Sequence, residues 1–299
     1  MVKVSVVMPV FNGGEYLRKA VDSILLQSFS DFEFLIVNDG STDASGKILQ
    51  ELAKRDQRIK VIDRENRGLI YSLNEACGVA EGEYIARMDA DDISLKDRFE
   101  QQVNYLDSHP EVVACGTEVT LIDGDGLPIK NMGNFYSHSD IDQQHMAGQG
   151  GAIIHPSAMI RRTALLQVGA YCADYSYAED LDLWLRLAEK GRLANLDLVL
   201  LYYRQHTESI GTRKREAQYH SARKAVVAAH LRRGVSLDKK NIAKLTSNPT
   251  PADLYLKWGW WSLGARNVAT ARKYARKRIL VKPFSLQSLK LVFASVRGY

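Results

Sequence analysis

Three carboxylates fall within four residues in the stretch 86–92, read A-R-M-D-A-D-D. Their mutual repulsion is costly unless a positive charge sits among them. Hard divalent cations take several carboxylate oxygens at close range, so a divalent cation is the natural occupant. Asp89 and Asp91 are two apart, and on a turn after a strand both can reach one ion. An acidic loop capping the helical pattern that opens near Ser94 would have the same composition. The elements that carry these residues decide between the two.

Residues 2–7 are nearly continuous β-branched chain, as expected of a strand buried on both faces, and end at Pro9-Val10-Phe11-Asn12-Gly13-Gly14. Leu17, Ala20, Val21 and Ile24 then recur at helical spacing. A second strand over 32–37 ends at Asn38-Asp39-Gly40. Ser41, Thr42 and Asp43 offer N-cap chemistry for a helix through Leu52, which leaves Asp39 unexplained. A third strand over 59–62 leads to Asn66-Arg67-Gly68 and a helix using Leu69, Leu73, Ala76, Cys77 and Ala80. The fourth, over 83–88, ends in the acidic cluster. Four strand–helix units predict an α/β, Rossmann-like, doubly wound and mostly parallel sheet. All the candidate polar groups fall at the carboxyl ends of its strands, where such sheets bind ligands. The first loop is not G-x-G-x-x-G, so a dinucleotide fold is not indicated.

Beyond the cluster, Phe99, Val103 and Leu106 mark a helix, and 112–122 a strand closed by a hairpin turn at Asp123-Gly-Asp-Gly. Residues 129–150, polar and glycine-containing, are expected to form a mobile loop over the site. His155 lies in G-G-A-I-I-H-P-S-A-M-I-R and is either a structural hydrogen-bonder or a catalyst. Glu179-Asp180-Leu-Asp182-Leu-Trp184 opens a helix whose Leu181, Trp184, Leu185 and Ala188 face inward. Acidic residues suit a helix N-terminus in any case. A final strand over 196–203 ends in Arg204-Gln-His206, with His206 either at a metal or diphosphate or purely structural.

Charge divides the chain. Residues 1–210 hold 20 Lys and Arg against 32 Asp and Glu, a net −12, whereas residues 211–299 hold 20 against 3, a net +17. The predicted organisation is therefore a sheet domain over 1–210 and a small basic α-helical domain over 211–299. Such a tail suggests an anionic partner. Its final helices place Lys273, Arg276, Lys277, Arg278, Lys282 and Lys290 around Leu280, Phe284, Leu289 and Phe293, the pattern of a helix in a membrane interface. Cys77, Cys115 and Cys172 are odd in number and far apart, which fits a reducing, cytoplasmic compartment. No apolar run approaches the roughly 20 residues that span a bilayer, and Met1-Val-Lys leads straight into a strand, so no signal peptide is expected.

V-S-V-V-M-P-V-F-N-G, V-N-D-G-S-T-D and A-R-M-D-A-D-D, at these intervals, resemble the family 2 glycosyltransferases of GT-A fold over residues 1–210. The resemblance implies an inverting, metal-dependent transferase that moves a sugar from a nucleotide donor, UDP-linked in expectation, to a saccharide or lipid-linked saccharide during surface polysaccharide synthesis. It implies that Pro9, Phe11 and Asn12 line the base pocket, with Asn66 and Arg67 also on the nucleotide side, and that Asp39 accepts from the uracil ring. Asp89 would serve ribose and metal, and Asp91, with His206, the metal. Asp180 would be the catalytic base, with His155, Glu179 and Trp184 on the acceptor side. Phe11 stands where the family commonly has Tyr, and keeps the aromatic surface. A nucleotidyltransferase would share the sheet but needs a basic phosphate loop that the first turn lacks. A nucleic-acid-binding protein would explain the tail but not the acidic edge, so no nucleic acid is expected.

Overall fold

The computed structural model describes residues 2–207, 214–237 and 248–298. Nine strands form one sheet in the order β3-β2-β1-β4-β8-β6-β9-β5, with β7 beside β6. Strands β1 (Val4–Val10), β2 (Phe32–Asp39), β3 (Ile59–Arg64) and β4 (Tyr84–Arg87) are parallel. Helices α1 (Leu17–Leu25), α2 (Ser45–Ala53) and α3 (Leu69–Val79) join them. Antiparallel β8 (Met159–Arg161) links β4 to β6 (Val112–Ile122). Strand β6 then runs parallel to β9 (Arg192–Arg204), which carries the two-residue β5 (Ile93–Ser94) on its far side.

Alternation along β1 explains the layering, since successive side chains of a strand point to opposite faces. Val4, Val6 and Met8 share a core with Leu17, Ile24 and Leu49, and with Phe99 and Val103 of α4 (Arg98–Ser108). Val7, with Leu35 and Val37, faces the other way, onto Leu73 and Ala76. Leu165 of α6 (Arg162–Gln167) and Leu183 and Trp184 of α7 (Glu179–Leu187) complete that second layer. A sheet covered on both faces leaves its strand ends as the open edge, which is where β1, β2 and β4 deliver their polar loops.

Two local expectations change. Residues 129–150 are not all loop: they contain β7 (Pro128–Met132) and α5 (His138–Met146). Ile129 is fully buried where β7 pairs with β6, and the Ser137 side chain caps α5 by accepting from the Asp140 amide. The cap chemistry of Ser41–Asp43 is shared with the first loop: the N-cap position is Ala44, and Asp43 Oδ1 accepts from the Ser45 amide at the head of α2 at 2.9 Å. Ser41 Oγ accepts from the Asn12 amide at 3.0 Å, Asp43 from the Gly14 amide at 3.0 Å, and Ser45 Oγ from the Gly13 amide at 2.9 Å. Those side chains hold the first loop as well.

The domain division expected at 210/211 lies outside the described residues. Helix α8 (Arg215–Arg233) lays Ala225, Val226 and Ala229 on Leu181 and Leu185 of α7. Arg233 pairs with Asp142 at 2.7 Å and Arg232 with Glu189 at 2.9 Å. Helix α9 (Pro251–Gly264) opens with a Thr250–Asp253 capping box. It packs with α10 (Val268–Val281) and α11 (Leu286–Arg297) as a three-helix group. Tyr274 Oη donates to buried Asp123 at 3.1 Å and Lys273 pairs with the same carboxylate. Among the described residues no helix is long and apolar enough to cross a membrane.

Candidate active site

Asp39 ends β2 and is buried. Its carboxylate pairs with Arg64 and accepts from the backbone amides of Arg67 at 2.8 Å and Gly68 at 2.9 Å. Asn66 donates to the Asp39 carbonyl at 2.9 Å. Asp39 thus fixes the loop after β3 against the end of β2. The close approach demands Gly40, which has φ +71° and where a Cβ would lie 2.5 Å from the Asn66 nitrogen. Next door, Asn12 takes a left-handed φ of 52° and accepts from the Thr42 amide at 2.8 Å. Phe11 stands 55% exposed, a free aromatic surface at the mouth, with half-buried Pro9 behind it. Arg67 reaches the Tyr71 hydroxyl at 2.6 Å.

At the end of β4 one ligand atom from each of Asp89, Asp91 and Asp92 lies within 4.8 Å of the others. Arg87, buried in the strand, pairs with Asp89, and His206 Nε2 lies 3.2 Å from Asp91 Oδ2. Asp92 is fully buried, with Oδ1 accepting from the Arg204 amide at 2.8 Å and Oδ2 without a hydrogen-bond partner. Burial, with Asp91 and Asp89 beside it, holds the Asp92 carboxyl well above the ordinary carboxylate range. A buried, unpartnered carboxylate oxygen facing two further carboxylates is a donor set that fits a hard divalent cation.

Arg204 secures this turn from outside. Its guanidinium donates to the Asp91 carbonyl at 2.7 Å and to the carbonyls of Asp123 and Gly124 at 2.9 and 3.1 Å, and it lies 4.3 Å over the Tyr16 ring. Arg98 does the same from within the core, donating to the Arg87 carbonyl at 2.8 Å.

The Arg87 charge also acts on the head of α7. Burial raises the Asp180 carboxyl, against the Leu181 amide and the Arg87 charge, which lower it; Asp89 raises it further. Burial and the neighbouring Asp180 push Glu179 up to about 7. His155 sits in a short 3-10 turn (His155–Ser157), 2.7 Å from the Tyr171 hydroxyl and edge-on to Trp184 at 5.9 Å. Burial, then the Arg87 charge, keeps its imidazole neutral well below the ordinary range. Trp184 is buried too. The structure therefore gathers Asp89, Asp91, Asp180, Glu179, His155 and His206 around the end of β4. Asp39, Asn66 and Arg67 form a second cluster with Asn12 and Phe11 at the ends of β1 and β2. Sequence reasoning passed over Arg87, Arg204 and Asp92 as ligand. A lone Arg inside an apolar strand and the second Asp of the D-D pair were the available signals.

An acidic cluster at the carboxyl end of β4, in a mixed and mostly parallel sheet, is the arrangement of a GT-A-type fold. The sequence profile of "Glycosyl transferase family 2" matches residues 5–169, and the chain belongs to that family. It is 34% identical over 210 residues to the O-antigen biosynthesis glycosyltransferase WbnJ of Escherichia coli, covering 69% of this chain and 81% of that one. It is 32% identical over 231 residues to an uncharacterised glycosyltransferase of Haemophilus influenzae, covering 74% and 71%. Among solved structures, S. aureus TarS residues 1–349 with UDP-GlcNAc superposes with a TM-score of 0.62 at 18% identity, covering 98% of this chain and 79% of that one. The mannosyltransferase PcManGT of Pyrobaculum calidifontis, with GDP-Man and Mn2+, gives 0.58 at 19%, covering 99% and 86%. These structural likenesses establish the GT-A fold.

Proposed function

We propose that the protein transfers a sugar, with inversion, from a nucleoside-diphosphate donor to a hydroxyl of a saccharide or lipid-linked saccharide, as a hexosyltransferase of surface polysaccharide synthesis. The observation that carries this reading is the meeting of the three-carboxylate cluster with the raised Glu179–Asp180 pair around one buried arginine. UDP as the nucleotide rests on the sequence resemblance and on the UDP-GlcNAc bound by TarS. In this reading Asp89, Asp91 and Asp92, with His206, hold Mn2+ or Mg2+. When bound there, such an ion would supply Lewis-acid stabilisation for charge on a diphosphate.

Phe11, Pro9 and Asn12 offer the base an aromatic and backbone edge. Asp39 acts on the nucleotide through the Asn66–Gly68 loop that it orders. The acceptor oxygen bonds the anomeric carbon as the bond to the diphosphate oxygen breaks, and Asp180 receives the hydroxyl proton. A raised pKa makes it a stronger base. Glu179, raised to about 7, is half protonated at neutrality and carries less charge beside Asp180 than an ordinary carboxylate would. Buried His155 and Trp184, packed edge-on, are the acceptor-side groups in this reading. The unpaired Cys77, Cys115 and Cys172 fit a cytoplasmic setting.

A nucleotide-sugar hydrolysis screen without acceptor, run with Mn2+, with Mg2+ and with excess EDTA, tests the reading. One UDP-sugar should be turned over in a metal-dependent manner, and Asp91→Asn should abolish the dependence. Full turnover in EDTA would remove the metal role, and no turnover of any donor alongside no metal-dependent UDP binding would remove the transferase reading.

A further inference from the structure

Helix α11 presents its apolar side to water. A surface helix normally turns that stripe toward the core. The inward positions here are Ser288, Leu291 and Ser295, two of them serine and all buried. Small residues suit that side because α9 comes close, and a Cβ on Gly259 would lie 2.5 Å from Leu291. The outward positions are Leu286, Leu289, Phe293 and Val296, from 51% to 67% exposed. At 3.6 residues per turn those four share an arc of roughly 80°. The surface continues over the end of α10, where Leu280 is 83% exposed, and into the connecting turn, where Phe284 is 99% exposed.

The charge around this surface has one sign. Residues 265–298 contain nine Lys and Arg and no Asp or Glu. Two that the sequence placed on the stripe turn inward instead. Lys273 pairs with Asp123 and Asp125, and Arg278 is buried against Ser288 and Asp253. Arg276, Lys277, Lys282 and Lys290 remain exposed, and Arg297 lies 4.1 Å over the Phe293 ring. A nucleic acid would match the cations but leave two phenylalanines and four aliphatic side chains in water. An apolar protein groove would cover the side chains but strand the cations.

We propose that α11 and the α10–α11 corner dock the protein on an anionic phospholipid bilayer, the helix lying in the interface plane. Phe284, Leu280, Leu286, Leu289, Phe293 and Val296 enter the headgroup–acyl boundary, while the flanking lysines extend their stems and keep their ammonium groups among the phosphates. The inference stands apart from the transfer reaction, since none of these residues belongs to the site at the end of β4.

The test is co-sedimentation of the full chain with phosphatidylcholine vesicles and with vesicles containing phosphatidylglycerol. Binding to the anionic vesicles is expected, with little to the neutral ones, and raised salt should weaken it. Replacing Leu280 and Phe284 by Ser should lower partitioning about tenfold or more, as withdrawal of two large apolar groups requires. Removing Lys282 or Lys290 should lower it about fivefold each, the equivalent of about 1 kcal/mol. Because all four side chains are exposed, unchanged thermal melts should show that the variants fold. Failure to bind phosphatidylglycerol vesicles, or equal binding by wild type and the Leu280→Ser/Phe284→Ser variant, would overturn the proposal. A dimer in sedimentation velocity that this variant dissociates, with no vesicle binding, would overturn it in favour of a second copy of the chain.

Discussion

Arg204 joins the acidic turn to the C-terminal helices, and replacing it by Lys should uncouple them. In the native arrangement its guanidinium serves three carbonyls, those of Asp91, Asp123 and Gly124, while the Asp123 carboxylate takes Lys273 and Tyr274 of α10. A lysine keeps the charge but cannot span the carbonyls of two separate turns with one ammonium. A buried hydrogen bond to a charged donor contributes about 1.5–3 kcal/mol, and a stranded buried carbonyl costs about 1–3 kcal/mol. Losing one or two of the three contacts therefore predicts about 2–4 kcal/mol of lost stability in urea unfolding. The Arg204 amide still reaches Asp92 in the variant, because the backbone is unchanged. What loosens is the Asp91 side of the cluster, so Mn2+-dependent UDP binding by calorimetry should weaken by roughly tenfold or more, about 1.4 kcal/mol. Asp123→Asn should show the same pair of effects more weakly. Lost stability with unchanged metal-dependent UDP affinity would show that Arg204 only packs, and would refute the brace.

Asp180→Asn should cost roughly 10²-fold or more in turnover with little change in donor affinity. Glu179→Gln should cost far less at pH 7, because a group raised to about 7 is half protonated there and Gln mimics its neutral form; equally mild effects in a steady-state assay would move the base elsewhere. His145 of α5 is fully buried with neither ring nitrogen hydrogen-bonded, and burial lowers it to about 4. The unfolded chain therefore binds this proton first as pH falls, and stability should decline between about pH 6.5 and 4 by about 3 kcal/mol in all. Urea unfolding of His145→Leu should lack that slope and keep neutral-pH stability, and a slope identical to wild type would assign the decline to other groups.

The first four strands were legible because each is short, apolar and local, and because a sheet covered on both faces writes itself as continuous β-branched runs. The acidic turn was legible for the same reason, its carboxylates being neighbours in sequence. Asp39 announced itself as a residue that capping could not explain, but its partners come from Arg64 and the amides of Arg67 and Gly68, 25 to 29 positions later. Ser41 obeys a local capping rule on paper, yet its oxygen goes to the Asn12 amide, 29 positions earlier, while Asp43 divides its two oxygens between the Ser45 amide at the head of α2 and the Gly14 amide. Strand β7 hid because only Ile129 of its five residues is buried. Arg87 has Asp89 two positions on, but Arg204 takes its meaning from the carbonyls of Asp91, Asp123 and Gly124, at least 80 positions earlier, which no window of sequence contains.

The charge asymmetry of the chain has a structural consequence that composition alone conceals. A −12 body and a +17 tail suggest two independent units. Part of the opposite charge is instead consumed where the units touch: Arg233 on Asp142, Arg232 on Glu189, Lys273 on Asp123. Asp142 and Glu189 lie toward the surface, where such pairs contribute little. Asp123 is fully buried, and stripping it of Lys273 and Tyr274 would leave an ionised carboxylate without either partner. Breaking a buried pair from one side is strongly destabilising, by about 3–5 kcal/mol. Deleting the tail would therefore disturb the hairpin turn that Arg204 grips, and through it the acidic cluster. Loss of activity on truncation would then report a damaged metal turn as readily as a lost membrane contact. The exposed side chains at positions 280, 284, 282 and 290 separate the two effects, because none of them touches the brace.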